Sequence, residues 1–528
     1  MTDPRTGIRQ SMARRSVLVG AAAGLGAVTL AGALPGGALA QPARGRLADP
    51  FTLGVASGDP APDGFVIWTR LAPDPLADDG MGGMPARGYD VAWEVAEDDR
   101  FARIARRGTA AARPDGDHAV HVELGGLPPG REYFYRFSVD GHVSPSGRTR
   151  TAPNPGVLGE GLTMCFASCS QYEHGWFTAY RRLAEEEPDL ILHLGDYQYE
   201  YTKQDYVAPG GNVRDAAGPE TVTLANYRQR HAQYKTDPDL QAAHAAAPWL
   251  VVWDDHELDN NWADEVPENH QPNFLERRAA AFQAYYENMP LRRASVPRGI
   301  DLLLYRRIDW GRMATFHMMD TRQYRDDQPC GDEFNTDCAQ RTDPARSITG
   351  AEQEAWLLDG FRRSTSRWDV LGQQVFFSQV DFTPGPERRF NPDAWDGYVG
   401  NRDRVVAGLR DVRNAVVLTG DVHAHWAAEV TERFDDPSSP AVGTELVATS
   451  ITSGGDGSET REDTPATLAE NPHVKFYNNR RGYVRTRFTA QEMRADFRVV
   501  PYVSRPGAPA QTRASFVVPD REPGLNLA

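Results

Sequence analysis

The chain has 528 residues, of which 57 are Lys or Arg and 73 are Asp or Glu, for a formal net charge of -16. That length exceeds one ordinary hydrophobic core and predicts two or more folding units. The acidic balance argues against a nucleic-acid partner, or an anionic membrane, held through a general basic field.

The first residues carry an address. Arg14-Arg15 precede the apolar stretch SVLVGAAAGLGAVTLAGAL, and Ala38-Leu39-Ala40 then supplies the small-x-small pattern read by a signal peptidase. Residues 1–40 therefore read as an export signal. Paired arginines before a mild Ala/Gly-rich core mark it as a twin-arginine signal, whose export machinery carries folded proteins to an extracytoplasmic location, periplasmic or extracellular. No later segment is long and apolar enough to span a bilayer.

Residues 50–152 alternate apolar and polar in short bursts such as GFVIWTRL, YDVAWEVA and EYFYRFSVDG, separated by turn residues. This spacing predicts a β-sandwich of immunoglobulin-like or fibronectin-like kind. TAPNPGVLGEG reads as a linker. From residue 160 to about 500 the pattern becomes strand, helix, strand: LTMCFASCS, WFTAYRRLAEEEPD and DLILHLGD open an α/β domain. FLERRAAAFQAYYENM and TGAEQEAWLLDGFRRS supply helices to cover its sheets. The tail, residues 501–528, reads as the end of a few strands followed by a loose terminus.

The chain has four cysteines. Cys330 and Cys338 bracket a polar loop, which outside the cytoplasm reads as a short disulfide loop. Cys165 and Cys169 lie four apart on one strand, a poor geometry for a bridge. Cys165 reads as a core thiol, which leaves Cys169, at the strand's end, in need of another role.

Several short apolar runs end in clusters of chemistry-bearing residues. Gly195-Asp196 follows LILHL, Asp254-Asp255-His256-Glu257 follows LVVW, and Gly420-Asp421 with His423 and His425 follows AVVLT. Strand tips of α/β sheets open into the crevice where ligands bind. Acids gathered there repel one another unless a cation neutralises them, and the mixture of carboxylate and imidazole suits a divalent or trivalent metal.

These residues carry a resemblance. GDYQY matches GDxxY of the metallophosphatases, WDDHE stands where they carry GNH, and GDVHAH stands where they carry GHxH. With FASCSQ and GVASGDP in front, the chain resembles the alkaline phosphatase D family, bacterial relatives of the purple acid phosphatases. The resemblance implies a calcineurin-like αββα metallophosphatase sandwich behind the N-terminal module. It implies Fe3+ held by Cys169, Tyr199 and His423, with Asp196 bridging to Ca2+, Asp255 in place of the Asn of GNH and Asp421 in place of the first His of GHxH at the calcium side. By the same analogy His256 protonates the leaving group or binds phosphate, and Arg322 or Arg325 supplies a fork for phosphate oxygens. His425 is either a partner behind the ligands or packed, and Tyr197 and Tyr201 are packing or rim residues. The implied activity is hydrolysis of phosphomonoesters and phosphodiesters at alkaline pH. The rival readings are a phospholipase D-type diesterase on choline phospholipids and a non-catalytic metal- or phosphate-binding protein.

Overall fold

The computed structural model describes residues 47–528 apart from Asp337. The expected export signal lies outside the described residues. Residues 47–528 form one compact unit, and among the described residues no helix is long and apolar enough to cross a membrane.

The N-terminal part is all β. The strand Tyr89–Ala96 sits between Ile104–Ala112 and Glu132–Val139, antiparallel to both, and Gly147–Arg150 adds to the far edge of the latter. Glu132–Val139 alternates exposed and buried residues, so that Tyr133, Tyr135 and Phe137 enter a core with Phe65, Ile67, Val91 and Val95. Val55–Ala61 pairs antiparallel with Gly64–Arg70, which pairs with Ala119–Glu123. Val55–Ala61 also touches the next sheet, where Gly58 pairs with Trp249.

Beyond residue 160 the central strands are short, buried on both faces and parallel, the pattern of a sheet covered by helices, and longer antiparallel strands from Val474 onward flank them. Leu162–Ala167, Leu190–Leu194 and Trp249–Val252 run parallel in that order. A second parallel set comprises Ala314–Met318, Trp368–Gly372, Ala415–Thr419 and Ala441–Val447, with Arg306–Trp310 and His425–Thr431 as antiparallel neighbours. One long strand, Val474–Phe488, belongs to both sets. Asn478 in its first half pairs with His425, and Val484 in its second half pairs with Phe166.

The helices Phe274–Asn288 and Gly350–Arg363 fall where periodicity placed them. The helix expected from WFTAYRRLAEEEPD is shorter, Thr178–Ala184, since three glutamates and a proline follow it. The C-terminal stretch is more ordered than expected: Gln511–Pro519 pairs along its length with Glu492–Val500. Cys330 and Cys338 form a disulfide, and Cys165 and Cys169 are free and buried.

Candidate metal centre

Four strand ends, those of Leu162–Ala167, Leu190–Leu194, Trp249–Val252 and Ala415–Thr419, deliver the motifs to one place. Leu162–Ala167 leads to Cys169, whose N–H donates to the Gly195 carbonyl at 3.1 Å, while Ser170 N–H donates to the Asp196 carbonyl at 2.8 Å. Gly195 permits the next approach: a Cβ there would lie 2.4 Å from Asp254 Cβ. A Cβ on Gly420 would lie 2.8 Å from Ser168 Cβ. Both glycines of the two Gly-Asp pairs are thus required by close backbone packing. Cys169, Asp196, Asp421 and His423 all hold left-handed backbones, with φ of 61°, 56°, 62° and 54°. Such strain costs roughly 1–3 kcal/mol per residue and persists where surrounding structure over-determines it, as at binding sites.

Glu257 supplies part of that determination. Its carboxylate accepts from the backbone N–H of Asp196 at 3.0 Å, Tyr197 at 2.6 Å and Asp254 at 2.8 Å. It therefore ties the Gly-Asp turn to the Asp-Asp-His-Glu turn.

Two groups of donors share Asp196. The ligand atoms of Cys169, Asp196 and His423 lie within 4.8 Å of one another, and so do those of Asp196, Asp255 and His256. The Tyr199 hydroxyl donates to Asp196 Oδ2 at 2.9 Å and lies 3.2 Å from His423 Nε2. Ser453 Oγ in turn donates to the Tyr199 oxygen at 2.7 Å. Asp421 is outside both tight groups, although the charges of Asp254, Asp255 and Asp393 act on it. His256 stacks on the Tyr199 ring at 4.1 Å between centroids, and its Nδ1 lies 2.8 Å from Glu200 Oε2.

The electrostatics fit a cation. Burial pushes the carboxyls of Asp196, Asp254 and Asp421 well above the ordinary carboxylate range, and it pushes the Cys169 thiol and the Tyr199 phenol up as well. Oxygens of three buried acids of the centre, Asp196 Oδ1, Asp254 Oδ2 and Asp255 Oδ1, have no hydrogen-bond partner. Leaving buried polar atoms unpaired is costly, and a metal pair with a thiolate, a phenolate, an imidazole and carboxylates around it satisfies them. Burial, reinforced by Arg481, keeps the His423 imidazole unprotonated, as a ligand must be. Burial opposes protonation of His256, but Glu200, Asp255 and Asp196 outweigh it and hold that imidazole well above its ordinary value.

Arg322 and Arg325 differ from the expected phosphate fork. Both are fully buried. Arg322 Nε donates to Asp254 at 2.6 Å, and its two terminal nitrogens grip Asp393 at 2.8 Å each. Arg325 binds the same Asp393. With its fork already occupied, Arg322 positions Asp254 and lies 3.8 Å from Asp255 rather than facing a substrate. His425 is packed behind the centre, accepting from Thr449 N–H at 3.1 Å. Tyr197 is buried and bonded to His244, and Tyr201 lies 5.4 Å from the His256 ring. Sequence reasoning missed Glu200, Asp393 and Ser453 and gave Glu257 no role. Glu200 lies inside the same GDYQYEY stretch and Glu257 inside WDDHE, so proximity to the motifs was their signal; NPDAWDG, which carries Asp393, has none.

Comparison with known proteins places this arrangement. The family model for the PhoD-like phosphatase matches residues 164–497, and that for the N-terminal domain of the same family matches residues 37–153. Alkaline phosphatase D of Bacillus subtilis (strain 168) is 50% identical over 480 residues, covering 90% of this chain and 82% of that protein. A solved structure described as that of PhoD superposes with a TM-score of 0.89 at 50% identity, covering 91% of this chain and 92% of the other. A Plasmodium protein, GAP50, the anchor in the inner membrane complex, is 10% identical with a TM-score of 0.33 over 70% of this chain and 90% of its own. The strand-end centre sits within the part matched by the first of these models, and the chain belongs to the PhoD-like phosphatase family of phosphoester hydrolases.

Proposed function

We propose that this chain is an exported phosphoesterase that holds iron(III) beside calcium and hydrolyses phosphomonoesters and phosphodiesters at alkaline pH. The observation that carries this reading is Asp196 placed between Cys169, Tyr199 and His423 on one side and Asp255 on the other, with the His256 imidazole beside it as proton donor. Thiolate and phenolate beside an imidazole suit iron(III), and a site of carboxylate oxygens, with Asp421 nearby, suits calcium. When bound, such a pair supplies Lewis acidity and a clamp for phosphate oxygens. The chain's own residues do the rest. Glu200 fixes one ring nitrogen of His256, leaving the other to give its proton to the departing oxygen. Glu257 and Arg322 hold Asp196 and Asp254 in place. The Arg-Arg and Ala-x-Ala features of residues 1–40 support export by the twin-arginine route. The all-β N-terminal part supports an immunoglobulin-like module, and the two parallel strand sets support a calcineurin-like sandwich.

A choline-phospholipid diesterase is the second reading. A cavity of about 460 Å³ is lined by Glu200, Tyr201, Asp205 and Glu268 and by Arg277 paired with Glu220 and Asp259, and its other acids with the aromatic face of Tyr201 suit a quaternary ammonium. Hydrolysis of a nitrophenyl monoester, a bis-nitrophenyl diester and phosphatidylcholine by the exported protein ranks these substrates. Elemental analysis and the visible spectrum test the metals, since a phenolate or thiolate on iron(III) gives a charge-transfer band. Cys169→Ala and Tyr199→Phe are expected to bleach that band and abolish turnover. A colourless, fully active, calcium-independent enzyme sinks the assignment.

A further inference from the structure

The strand Ala441–Val447 runs on into Thr449-Ser450-Ile451-Thr452-Ser453, and this stretch follows the end of Leu162–Ala167. Ser168 and Ser450 form a parallel bridge, and Ile451 N–H donates to the Ser168 carbonyl at 3.0 Å. Thr452 and Ser453 N–H both reach the Cys169 carbonyl at 3.4 Å, and the Thr452 hydroxyl donates to the Gln171 carbonyl at 2.7 Å. Arg481, itself buried, closes the turn by donating to the Ser450 hydroxyl and the Ser453 carbonyl. These bonds hold two fully buried serines, Ser168 and Ser453, against Cys169 and Tyr199.

A serine hydroxyl has one proton to give and two lone pairs. Gln171 N–H donates to the Ser453 oxygen at 3.2 Å, and the single Ser453 proton then has two acceptors, the Tyr199 oxygen at 2.7 Å and the Cys169 carbonyl at 3.0 Å. Once Tyr199 gives up its own proton to hold an ion, its oxygen is the charged acceptor, and a charge-assisted bond is roughly twice as strong as a neutral one. The proton then settles on the phenolate. Ser168 stands in the same relation to Cys169, its Oγ 3.2 Å from Sγ. A Cβ on Gly420 would lie 2.8 Å from that Oγ, so the second Gly-Asp pair keeps the serine's place open. Burial pushes the Tyr199 phenol and the Cys169 thiol up, and in each case the serine bond opposes it by favouring the anion.

We propose that Ser453 and Ser168 are positioning residues that tune the iron ligands, Ser453 by giving its hydroxyl proton to the Tyr199 phenolate and Ser168 by giving its own to the Cys169 thiolate. This rests on the iron(III) phosphoesterase reading. A hydrogen bond donated to an anionic ligand draws electrons away from the metal, so the ion stays a stronger Lewis acid than bare phenolate and thiolate would leave it. The two hydroxyls thereby restore to the centre the acidity that two strongly donating ligands take from it.

The test is resonance Raman spectroscopy of the metal-replete full-length protein, excited in its visible band. The phenolate C–O stretch of the wild type is expected to shift between H2O and D2O, because the proton bonded to that oxygen exchanges. Ser453→Ala is expected to lose this shift and to move the phenolate charge-transfer band to longer wavelength, since an unbonded phenolate holds its electrons less tightly. Ser168→Ala is expected to keep the phenolate shift and to change the iron–sulfur stretch instead. In Ser453→Ala, kcat on the bis-nitrophenyl diester is expected to fall about tenfold. A wild type without the deuterium shift, or a Ser453→Ala protein that retains it, overturns the proposal, and the wild-type arm decides even where the variant fails to hold iron. A wild type that lacks iron or shows no phenolate modes overturns the iron reading instead.

Discussion

Replacing Glu257 by alanine removes the one carboxylate that accepts backbone hydrogen bonds from Asp196, Tyr197 and Asp254, at 3.0, 2.6 and 2.8 Å. Glu257 is 3% exposed, so water does not simply replace it. Each buried N–H left without an acceptor costs roughly 1–3 kcal/mol, and partial relaxation brings the sum to about 5 kcal/mol. Unfolding entropy near 2.1 cal/mol/K per residue over roughly 480 ordered residues gives about 1 kcal/mol/K, so the expected fall in Tm is about 5 °C. Glu257→Gln keeps one accepting oxygen but sets an amide NH2 against another donor, and is expected to fall between. Calorimetry of the metal-replete and chelator-treated proteins reads the effect. Metal content is expected to drop with it, because the two turns that Glu257 joins carry Asp196 and Asp255. A Glu257→Ala protein with Tm within about 1 °C of wild type and full metal content refutes the reasoning, since it would show that three orphaned donors find other partners at no cost.

The other predictions concern single contacts. Glu200→Gln is expected to retain both metals while lowering kcat about 10- to 100-fold, because His256 loses the carboxylate that fixes its ring; unchanged kcat removes that role from the pair. Asp393→Ala strands the Arg322 and Arg325 guanidinium groups without their shared anion, and a loss of about 3–5 kcal/mol is expected in urea titrations. His193 is buried, and burial lowers its imidazole from 6.5 to about 3. The unfolded chain then binds a proton that the folded one refuses, so its contribution is full above 6.5 and disappears as pH falls toward 3. Urea midpoints are expected to decline from pH 7 to pH 4, less steeply in His193→Gln; an equal slope in both proteins shows that His193 is not the source.

Much of the centre was legible because metal chemistry restricts residue types. Cys169 was left without a plausible disulfide, Asp196 and Asp421 followed glycines at strand ends, and His423 stood two residues beyond. The apolar runs before them are short and branched, which locates a strand tip even where its partner strand is unknown. What stayed hidden depends on contacts between distant segments. Asp393 meets Arg322 across 71 positions and Arg325 across 68, and no local pattern in NPDAWDG announces that a buried anion will close two guanidinium groups. Arginine at a strand end reads equally as a substrate fork or as a structural cation until its partner is seen. The C-terminal pairing was missed for a similar reason. Gln511–Pro519 has exposed residues through its first half and shows little of the strict alternation that marks a half-buried strand, so its order comes from the ladder to Glu492–Val500.

The strand Val474–Phe488 has a mechanical consequence. Because its two halves are laddered into different sheets, sliding or hinging of one sheet against the other would tear hydrogen bonds along a continuous ribbon. Gly482, near the changeover, leaves no slack there either, since a Cβ would lie 1.9 Å from the Arg498 carbonyl oxygen. Substrate entry therefore has to be served by the peripheral loops, with the scaffold beneath them acting as a welded seam.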